Sequence, residues 1–377
     1  MSRAVRHRYK GREQGPVQQE GEVVDRRRLG QYWGITMTAG EIASRCEPGQ
    51  FVNISVDIAG TLLQRPFSVA GASPSGPVAG TIDIVVDSHG PGTNALGRVR
   101  TGDRLTLMGP LGRAFPMPQR RVSAVLVGGG YGAAPLYYLG NRLRAAGHKV
   151  GFVIGAADQS RIVDPIVPKR MATLTMFTTE DGSMGEQGLV TDVLRKALVS
   201  TDAEVVYSCG PNGMLAAVSA ISEDLGIPCQ VAVEEHMACG VGVCMTCVLP
   251  IRDRHGEVHN RRVCVDGPVF TSTRIAWEQS RYVGPVDSSA PETVLLDDGG
   301  GGESRDSADR DPPAPDVAVP QTVDEPAATP NGSPSEGDAP GQEGRSRQRD
   351  GRGERRGGPG GDSGVGRRPG DGSWIGQ

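Results

Sequence analysis

The chain has 377 residues, of which 55 are glycine and only 4 % are aromatic, and this length is enough for two domains and a remainder. Its formal net charge of -4 is too small to indicate a nucleic-acid partner. Seven cysteines in a chain of this length are too few for a disulfide scaffold, and four of them lie in one short segment, which favours a metal site.

The N-terminal part of the chain has the pattern of a small β-barrel. Residues 1–16 are interpreted as a flexible extension. Over residues 17–118, short β-branched segments such as GTIDIVVDS and DRLTLMG are bounded by Gly, Pro or Asp, as strands commonly are. Because no long helical pattern interrupts these segments, the sequence predicts an antiparallel barrel over 17–118.

Two segments of the predicted barrel have groups suited to binding a phosphorylated ring compound. In RPFSVAG, Arg65 could pair with a phosphate, Phe67 could cover a ring system and Ser68 could donate a hydrogen bond to a ring nitrogen. In HGPGTNAL, the backbone amides of Gly92 and Thr93 could form an exposed anion nest. An ordinary strand followed by a β-turn remains an open interpretation of both segments.

Residues 119–233 predict a second domain, of α/β type. Buried strands such as AVLVG and KVGFVIG are separated by helical segments such as APLYYLGNRLRAAG. Strands that alternate with helices in this way form a parallel sheet with crossover helices. The predicted fold class is therefore α/β plus a β-barrel.

Three loops of this predicted sheet are candidates for binding a nucleotide. The turn in VLVGGGYGAAP would let the backbone approach a pyrophosphate, although it does not fit G-x-G-x-x-G cleanly. In SCGPNGM, Cys209 beside Gly210 and Pro211 could pack against a planar ring, and TEDGSMGEQG could shape itself around a ligand. The glycines of the first turn are Gly128, Gly129, Gly130 and Gly132. Tight strand-to-helix packing, a buried cysteine and a polar turn are the respective alternatives.

The segment CGVGVCMTC carries the most specific signal, in a predicted small module over residues 234–285. Its spacing is C-x4-C-x2-C, and a fourth cysteine follows after sixteen residues. The opening spacing is that of a plant-type [2Fe-2S] loop, and the small residues between the thiols let a backbone wrap inorganic sulfides. The candidate ligands are Cys239, Cys244, Cys247 and Cys264. Zinc and unrelated structural cysteines are the alternatives, and Cys46, Cys209 and Cys229 stay outside the site.

The remaining segment, residues 286–377, differs from the rest in composition. It consists mainly of Gly, Pro, Ser, Asp, Glu and Arg, so it cannot bury enough apolar surface to fold, and it is predicted to be disordered. No apolar run of roughly 18 residues indicates a transmembrane helix, and the basic N-terminus lacks the apolar segment of a secretory signal. A cytoplasmic, reducing location is therefore expected.

Taken in order, these segments resemble the ferredoxin-reductase superfamily, in which a flavin-binding barrel, a nucleotide domain and a plant-type cluster follow one another. Within it, they are similar to the electron-transfer subunits of NAD-dependent (class 1B) dihydroorotate dehydrogenases, over roughly residues 17–277. The segments that carry this resemblance are RPFS, GPGT, GPLGRAF, GGGYGAAPLYYL, TEDGSMGEQG, CGPNGML, MACGVGVCMTC and RRVCVDGPVF.

The resemblance implies a role for individual residues. The four cysteines of the module match the cluster ligands. Residues that match the FAD-binding positions are Arg65, Pro66, Phe67, Ser68, Val85, Val86, Asp87, Gly92 and Thr93. The positions at which relatives receive the nicotinamide nucleotide are matched by Gly128 to Gly132 and Cys209 to Pro211. At Asp87 the chain departs from the family, which usually carries a basic residue nearby, so an acid here supplies no positive charge to the flavin pyrophosphate.

The resemblance also implies a function. The chain would pass electrons from a separate FMN-containing catalytic subunit, which oxidises dihydroorotate, through a [2Fe-2S] cluster and FAD to NAD, in a heterotetramer of two copies of each subunit that serves pyrimidine biosynthesis. Such a protein converts between one-electron and hydride steps. The alternatives are a related reductase subunit that serves a ferredoxin, hydrogenase or glutamate-synthase-like partner, and a zinc-stabilised interaction protein that is not an enzyme.

Overall fold

A computed structural model describes residues 15–56, 62–75 and 80–280 of the chain. The predicted tail 286–377 lies outside the described residues, as does the predicted N-terminal extension except for its last two residues. Within the described ranges, no helix is long and apolar enough to cross a membrane.

The predicted barrel is confirmed. Six strands close into a barrel in the order β1-β2-β5-β4-β3-β6, and every neighbouring pair is antiparallel. The strands are β1 (Val17–Leu29), β2 (Tyr32–Thr38), β3 (Phe51–Ser55), β4 (Arg65–Ser73), β5 (Thr81–Val86) and β6 (Arg104–Leu111). Inward-facing residues such as Val52, Ile54, Val69 and Ile84 fill the interior, as the two-residue period of a strand requires.

Two short helices interrupt the barrel strands, α1 (Gly40–Arg45) and α2 (Pro91–Leu96). The sequence did not predict the second one, because it treated HGPGTNAL as a turn with exposed amides. Pro91 occupies the start of α2, where its fixed φ suits a helix and its missing N–H is not needed. Gly92 is buried beneath the Arg65 side chain, and the predicted anion nest at its amide stays a prediction.

The predicted α/β domain is also confirmed. A seven-stranded sheet has the order β10-β9-β8-β7-β11-β12-β15, and all neighbours are parallel except the last pair. Its strands are β7 (Ser123–Gly129), β8 (Lys149–Ala156), β9 (Leu174–Thr179), β10 (Glu186–Gln187), β11 (Val205–Cys209), β12 (Cys229–Ala232) and β15 (Val269–Thr271). The helices are α3 (Ala133–Ala145), α4 (Ile166–Met171), α5 (Val190–Ser200) and α6 (Asn212–Asp224).

The cysteine-rich segment forms a small region around the hairpin of β13 (Val248–Arg252) and β14 (Val258–Arg262), followed by α7 (Val263–Asp266). After α7 the chain returns to the large sheet, because β15 pairs antiparallel with β12. The sequence did not predict this return. The predicted domain boundaries stay predictions, but the backbone of the cysteine region is continuous with the sheet.

One apolar core joins the outer side of the barrel to the sheet and the cysteine region. Phe51 and Leu111 of the barrel pack in the same cluster as Cys247, Val263 and Cys264. The backbone N–H of Arg113 also donates to the carbonyl of Gly267, at 2.6 Å. These contacts place the cysteine loop directly against the barrel.

Candidate functional site

The four predicted cluster ligands converge in the structure. The Sγ of Cys239 accepts hydrogen bonds from the backbone N–H groups of Val243 and Cys244, at 3.3 and 3.5 Å. The Sγ of Cys247 accepts one from the N–H of Cys264, at 3.4 Å. Hydrogen bonds between side chains pair Cys239 with Cys244 and Cys247 with Cys264. The charges of Cys247 and Cys239 both act on Cys264, so the two pairs lie near each other.

The electrostatics of this site favour thiolates at two positions. Hydrogen bonds from Thr246, with one from Cys239, lower the pKa of Cys244 to about 6. A hydrogen bond from the Cys264 thiol lowers the pKa of Cys247 to about 6. That same bond to Cys247, followed by burial, raises the pKa of Cys264. Since the thiolate is the metal-binding form, part of the site is already prepared for a metal group.

The backbone of the loop leaves room around the sulfurs. Gly240, Gly242 and Met245 have φ values of +67°, +80° and +61°, in the left-handed region. A Cβ at Gly242 would lie 2.9 Å from Cγ1 of Val265, so this position excludes larger residues. Three sulfur donors on a curled loop of small residues, with a fourth from Cys264 in α7, fit a [2Fe-2S] group.

One end of the cluster loop reaches the protein surface. Cys244 is exposed, whereas Cys247 and Cys264 are each 1 % exposed. Val243 and Met245, which flank Cys244, are 72 % and 52 % exposed. The group that these cysteines would hold is therefore accessible from one side and enclosed by the apolar core on the other.

The predicted FAD-binding segment of β4 meets α2 through a close contact. The Arg65 guanidinium lies against Gly92, since a Cβ at Gly92 would be only 2.6 Å from Nε of Arg65. Ser68, on the opposite side of β4 from Val69, is exposed and available to a ligand. Arg65, Ser68 and the start of α2 thus form a surface that could receive a phosphorylated cofactor.

The structure adds contacts for two of the predicted residues, whose cofactor roles stay predictions. Phe67 is partly buried and packs against the barrel core. The hydroxyl of Thr93 accepts hydrogen bonds from the backbone N–H groups of His89 and Gly90, at 3.1 and 3.0 Å, so it shapes the turn before α2. Val85 and Val86 lie at the end of β5, and Asp87 follows them toward the sheet domain.

The two predicted nucleotide turns lie side by side at the carboxyl edge of the sheet, because β7 and β11 are neighbours and Cys209 pairs with Gly128. Their glycines pack against the opposite turn. A Cβ at Gly129 would lie 2.7 Å from Sδ of Met214, and one at Gly132 would lie 2.6 Å from the carbonyl oxygen of Cys209. Tight packing accounts for these two glycines, and nucleotide binding at this edge stays a prediction.

A hydrogen-bonded tyrosine and glutamate, missed by the sequence analysis, lie at this edge beside the barrel. The hydroxyl of Tyr131 donates to Oε2 of Glu234 at 2.7 Å, and the Tyr131 ring meets Tyr32 edge-on, with centroids 6.1 Å apart. Burial, followed by the charge of Glu234, raises the pKa of Cys209. The charge of Asp87 acts on Tyr32 and Tyr131. Groups predicted separately in the barrel and the sheet therefore surround one cleft.

The position of Glu234 could have been found from the sequence. It comes directly after the last parallel strand, and ligands of parallel sheets lie at the carboxyl ends of the strands. Solvent reaches its side chain and that of Tyr131, which is 41 % exposed, yet desolvation by the surrounding protein raises the pKa of both groups. Both groups are therefore accessible to a ligand at this edge of the sheet.

Replacing Glu234 with glutamine is expected to change the pH dependence of stability. The carboxyl group has its ordinary pKa of about 4.3 in the unfolded chain and a raised pKa in the folded chain. Between these two pKa values the unfolded chain has lost a proton that the folded chain still holds. The stability of the wild type therefore falls as the pH rises through this range. Glutamine keeps an acceptor for Tyr131 but does not titrate. The difference in Tm between E234Q and wild type should therefore increase as the pH rises above about 4 and level off once the raised folded pKa is passed.

The control for this measurement is Glu223→Gln, which removes an exposed carboxylate from α6. Thermal unfolding of all three proteins across the same pH range gives the comparison. A Tm difference for E234Q that is constant with pH would contradict the raised pKa of Glu234.

Two family models match the chain in the regions that hold these groups. The iron-sulfur cluster binding domain of dihydroorotate dehydrogenase B matches residues 234–276, which contain all four converging cysteines. The oxidoreductase FAD-binding domain matches residues 40–115, which contain β4 and α2.

Curated proteins of one kind are similar to most of the described chain. The electron transfer subunit of dihydroorotate dehydrogenase B (NAD(+)) from Desulforamulus reducens is 35 % identical over 64 % of this chain and 90 % of its own. That of Shouchella clausii is 39 % identical over 59 % and 84 %, and that of Listeria monocytogenes serotype 4a is 33 % identical over 69 % and 99 %. Among solved structures, a chain of the NADH-dependent reduced ferredoxin-NADP oxidoreductase is 27 % identical, with a TM-score of 0.60 over 68 % of this chain and 90 % of that one.

Proposed function

Since the chain belongs to the family of electron transfer subunits of dihydroorotate dehydrogenase B (NAD(+)), we propose that it carries electrons from the catalytic subunit, which oxidises dihydroorotate, to NAD+ in pyrimidine biosynthesis. The observation that carries this proposal is the convergence of four cysteines against a barrel whose β4 segment matches a FAD-binding family. Bound FAD and a [2Fe-2S] cluster would supply the exchange between single electrons and hydride.

The residues of this chain would have distinct roles in binding the cofactors. Cys239, Cys244, Cys247 and Cys264 would hold the cluster with one side open to the partner. Arg65 would neutralise phosphate charge, and exposed Ser68 would hydrogen-bond the flavin ring. At this edge of the sheet, Tyr131 would hold Glu234 in place beside the bound nucleotide through its hydrogen bond, and burial raises the pKa of that carboxyl.

The partner is the catalytic subunit, as the name of the family requires. We propose two copies of each subunit in the complex. Thiolate ligands of a cluster need a reducing compartment, which supports a cytoplasmic location. The mass of the complex, measured by light scattering after co-purification, tests the stoichiometry, and an assembly with one copy of each subunit would contradict it.

The test of the function begins with anaerobic purification of the full chain and quantification of iron, sulfide and flavin. We expect about two irons and one FAD per chain, as the proposed cofactors require, with bleaching of the visible spectrum on addition of NADH. Mixing with the catalytic subunit should then give dihydroorotate-dependent reduction of NAD+. A colourless, zinc-containing protein would overturn the proposal and favour the interaction-protein alternative.

A related reductase that serves a ferredoxin is the second candidate, because the ferredoxin-NADP oxidoreductase chain shares the fold at 27 % identity. The two functions separate in one assay. A loaded protein that reduces ferredoxin with NADPH or NADH but gives no dihydroorotate-dependent activity with the catalytic subunit would favour this candidate.

A further inference from the structure

Asn53 is a buried amide on the side of β3 that faces the cysteine region. Alternate residues of a strand face opposite sides, and Val52 and Ile54 pack inside the barrel. Phe51 faces outward and packs in the cluster that contains Cys247 and Cys264. Asn53 lies on the same side as Phe51 and is only 2 % exposed, so the cysteine region covers it.

The amide of Asn53 contacts the first cysteine of the loop. Its Nδ2 donates to the carbonyl oxygen of Cys239 at 3.2 Å, across 186 positions of sequence. A Cβ at Gly240 would overlap Nδ2 of Asn53, so the loop backbone passes directly over the amide. Among the described residues, Oδ1 of Asn53 has no hydrogen-bond partner. A buried amide that leaves one polar atom without a hydrogen bond reduces the stability of the fold. A contribution to stability therefore does not explain why Asn53 is bonded to Cys239, and a functional role is the better explanation.

The backbone of Asn53 belongs to the flavin-binding side of the barrel. In the β3–β4 pair, Asn53 lies opposite Pro66, and its neighbours Ile54 and Val52 lie opposite Arg65 and Phe67. Asn53 therefore links the peptide of a cluster ligand to the strand that would hold FAD. This is a short connection between the two proposed cofactor sites.

A second hydrogen bond holds the same loop from elsewhere. Nη1 of Arg262, on β14, donates to the carbonyl oxygen of Gly242 at 3.1 Å. Arg262 belongs to the cysteine region itself, so it can hold the shape of the loop but cannot fix the loop against the barrel. Asn53 supplies that link.

We propose that Asn53 is a positioning residue that fixes the Cys239 end of the cluster loop against the flavin-binding strand and so sets the separation of cluster and flavin. This inference rests on the proposed function. Because a hydrogen bond to the peptide of a cluster ligand draws electron density from that ligand, the Asn53 bond to the Cys239 carbonyl would also favour the reduced form of the cluster.

The test compares full-length, cofactor-loaded wild type with Asn53→Leu, which keeps the approximate size but removes the donor. We expect a more negative midpoint potential of the cluster, a changed EPR spectrum of its reduced state, and electron transfer from NADH-reduced flavin to cluster that is slower by about tenfold to a hundredfold. Asn53→His, whose Nδ1–H is as far from the backbone as the amide nitrogen, should restore the potential and spectrum.

The matched control is Asn260→Leu, the same substitution at an exposed position of β14. Iron loss in N53L that N53H restores would support the proposal, whereas equal loss in both would show a merely structural role and overturn it. A loaded N53L with wild-type potential, spectrum and rate would also overturn it. A wild type without iron and flavin would instead overturn the proposed function itself.

Discussion

Cys247→Ser is expected to abolish cluster binding while FAD remains bound. Cys247 is 1 % exposed, and its sulfur accepts hydrogen bonds from the backbone N–H and from the thiol of Cys264, so the substitution removes a donor sulfur from inside the site. A serine hydroxyl is not deprotonated at neutral pH and is a poor ligand for iron, which prefers thiolate here. Iron and sulfide should fall to near zero, while the flavin absorbance and NADH-dependent reduction of ferricyanide persist.

Electron delivery from the catalytic subunit should fail in this variant, so the rate of dihydroorotate-dependent NAD+ reduction should fall by at least a hundredfold. This is a lower bound, because mutating a residue that only supports a metal ligand already costs about 10- to 100-fold. Cys229→Ser is the matched control. Cys229 is similarly buried, at 3 % exposed, but it lies on β12 and is not one of the four converging cysteines. Iron retained in C247S, or lost to the same extent in C229S, would refute the assignment of ligands.

Local sequence patterns predicted the parts of the fold that depend on local rules. The barrel strands follow from β-branched segments between turn residues, and the parallel sheet follows from alternation of strands and helices. The ligand spacing from Cys239 to Cys247 is also local, because one loop must wrap one cluster. Cys264 lies outside that loop, so its convergence with the other three cysteines could be anticipated only from the resemblance to a family.

Features that depend on contacts between distant segments were not predictable in the same way. β15 has only three residues, and it becomes a strand because β12 offers an open edge. The six residues of α2 suggested a turn because Gly90, Pro91 and Gly92 follow one another at its start. Glu234 meets Tyr131, and Asn53 meets Cys239, across 103 and 186 positions. Nothing in the local sequence of either pair indicates its partner.

The segment RPFS shows how strand periodicity adds to a prediction from residue type. The sequence interpretation gave Phe67 a place over the flavin ring because an aromatic lies between Arg65 and Ser68. In the structure Phe67 is partly buried on the side of β4 that holds Val69 and packs against the barrel core, whereas Ser68 faces the other side and is exposed. The contact of Phe67 with a flavin stays a prediction.

Arg65→Ala is expected to weaken FAD binding by about 10- to 150-fold, which corresponds to the roughly 1.5–3 kcal/mol of a hydrogen bond to a charged group. The guanidinium lies against Gly92 at the start of α2, and Asp87 supplies no compensating positive charge. Titration of flavin-free protein with FAD, followed by quenching of flavin fluorescence, gives the Kd. Arg65→Lys, which keeps the charge but loses the planar fork, should give an intermediate Kd.

The ionic strength of the titration separates a phosphate contact from a loss of packing. An Arg65–phosphate pair that is partly open to solvent is screened by salt, so the difference in Kd between R65A and wild type should shrink as salt increases. A packing defect would not depend on salt in this way. Arg104→Ala, which removes an exposed arginine from β6 of the same barrel, should leave the Kd unchanged at every ionic strength. If R104A weakened FAD binding as much as R65A, the effect would come from the net charge of the barrel and not from a contact of Arg65.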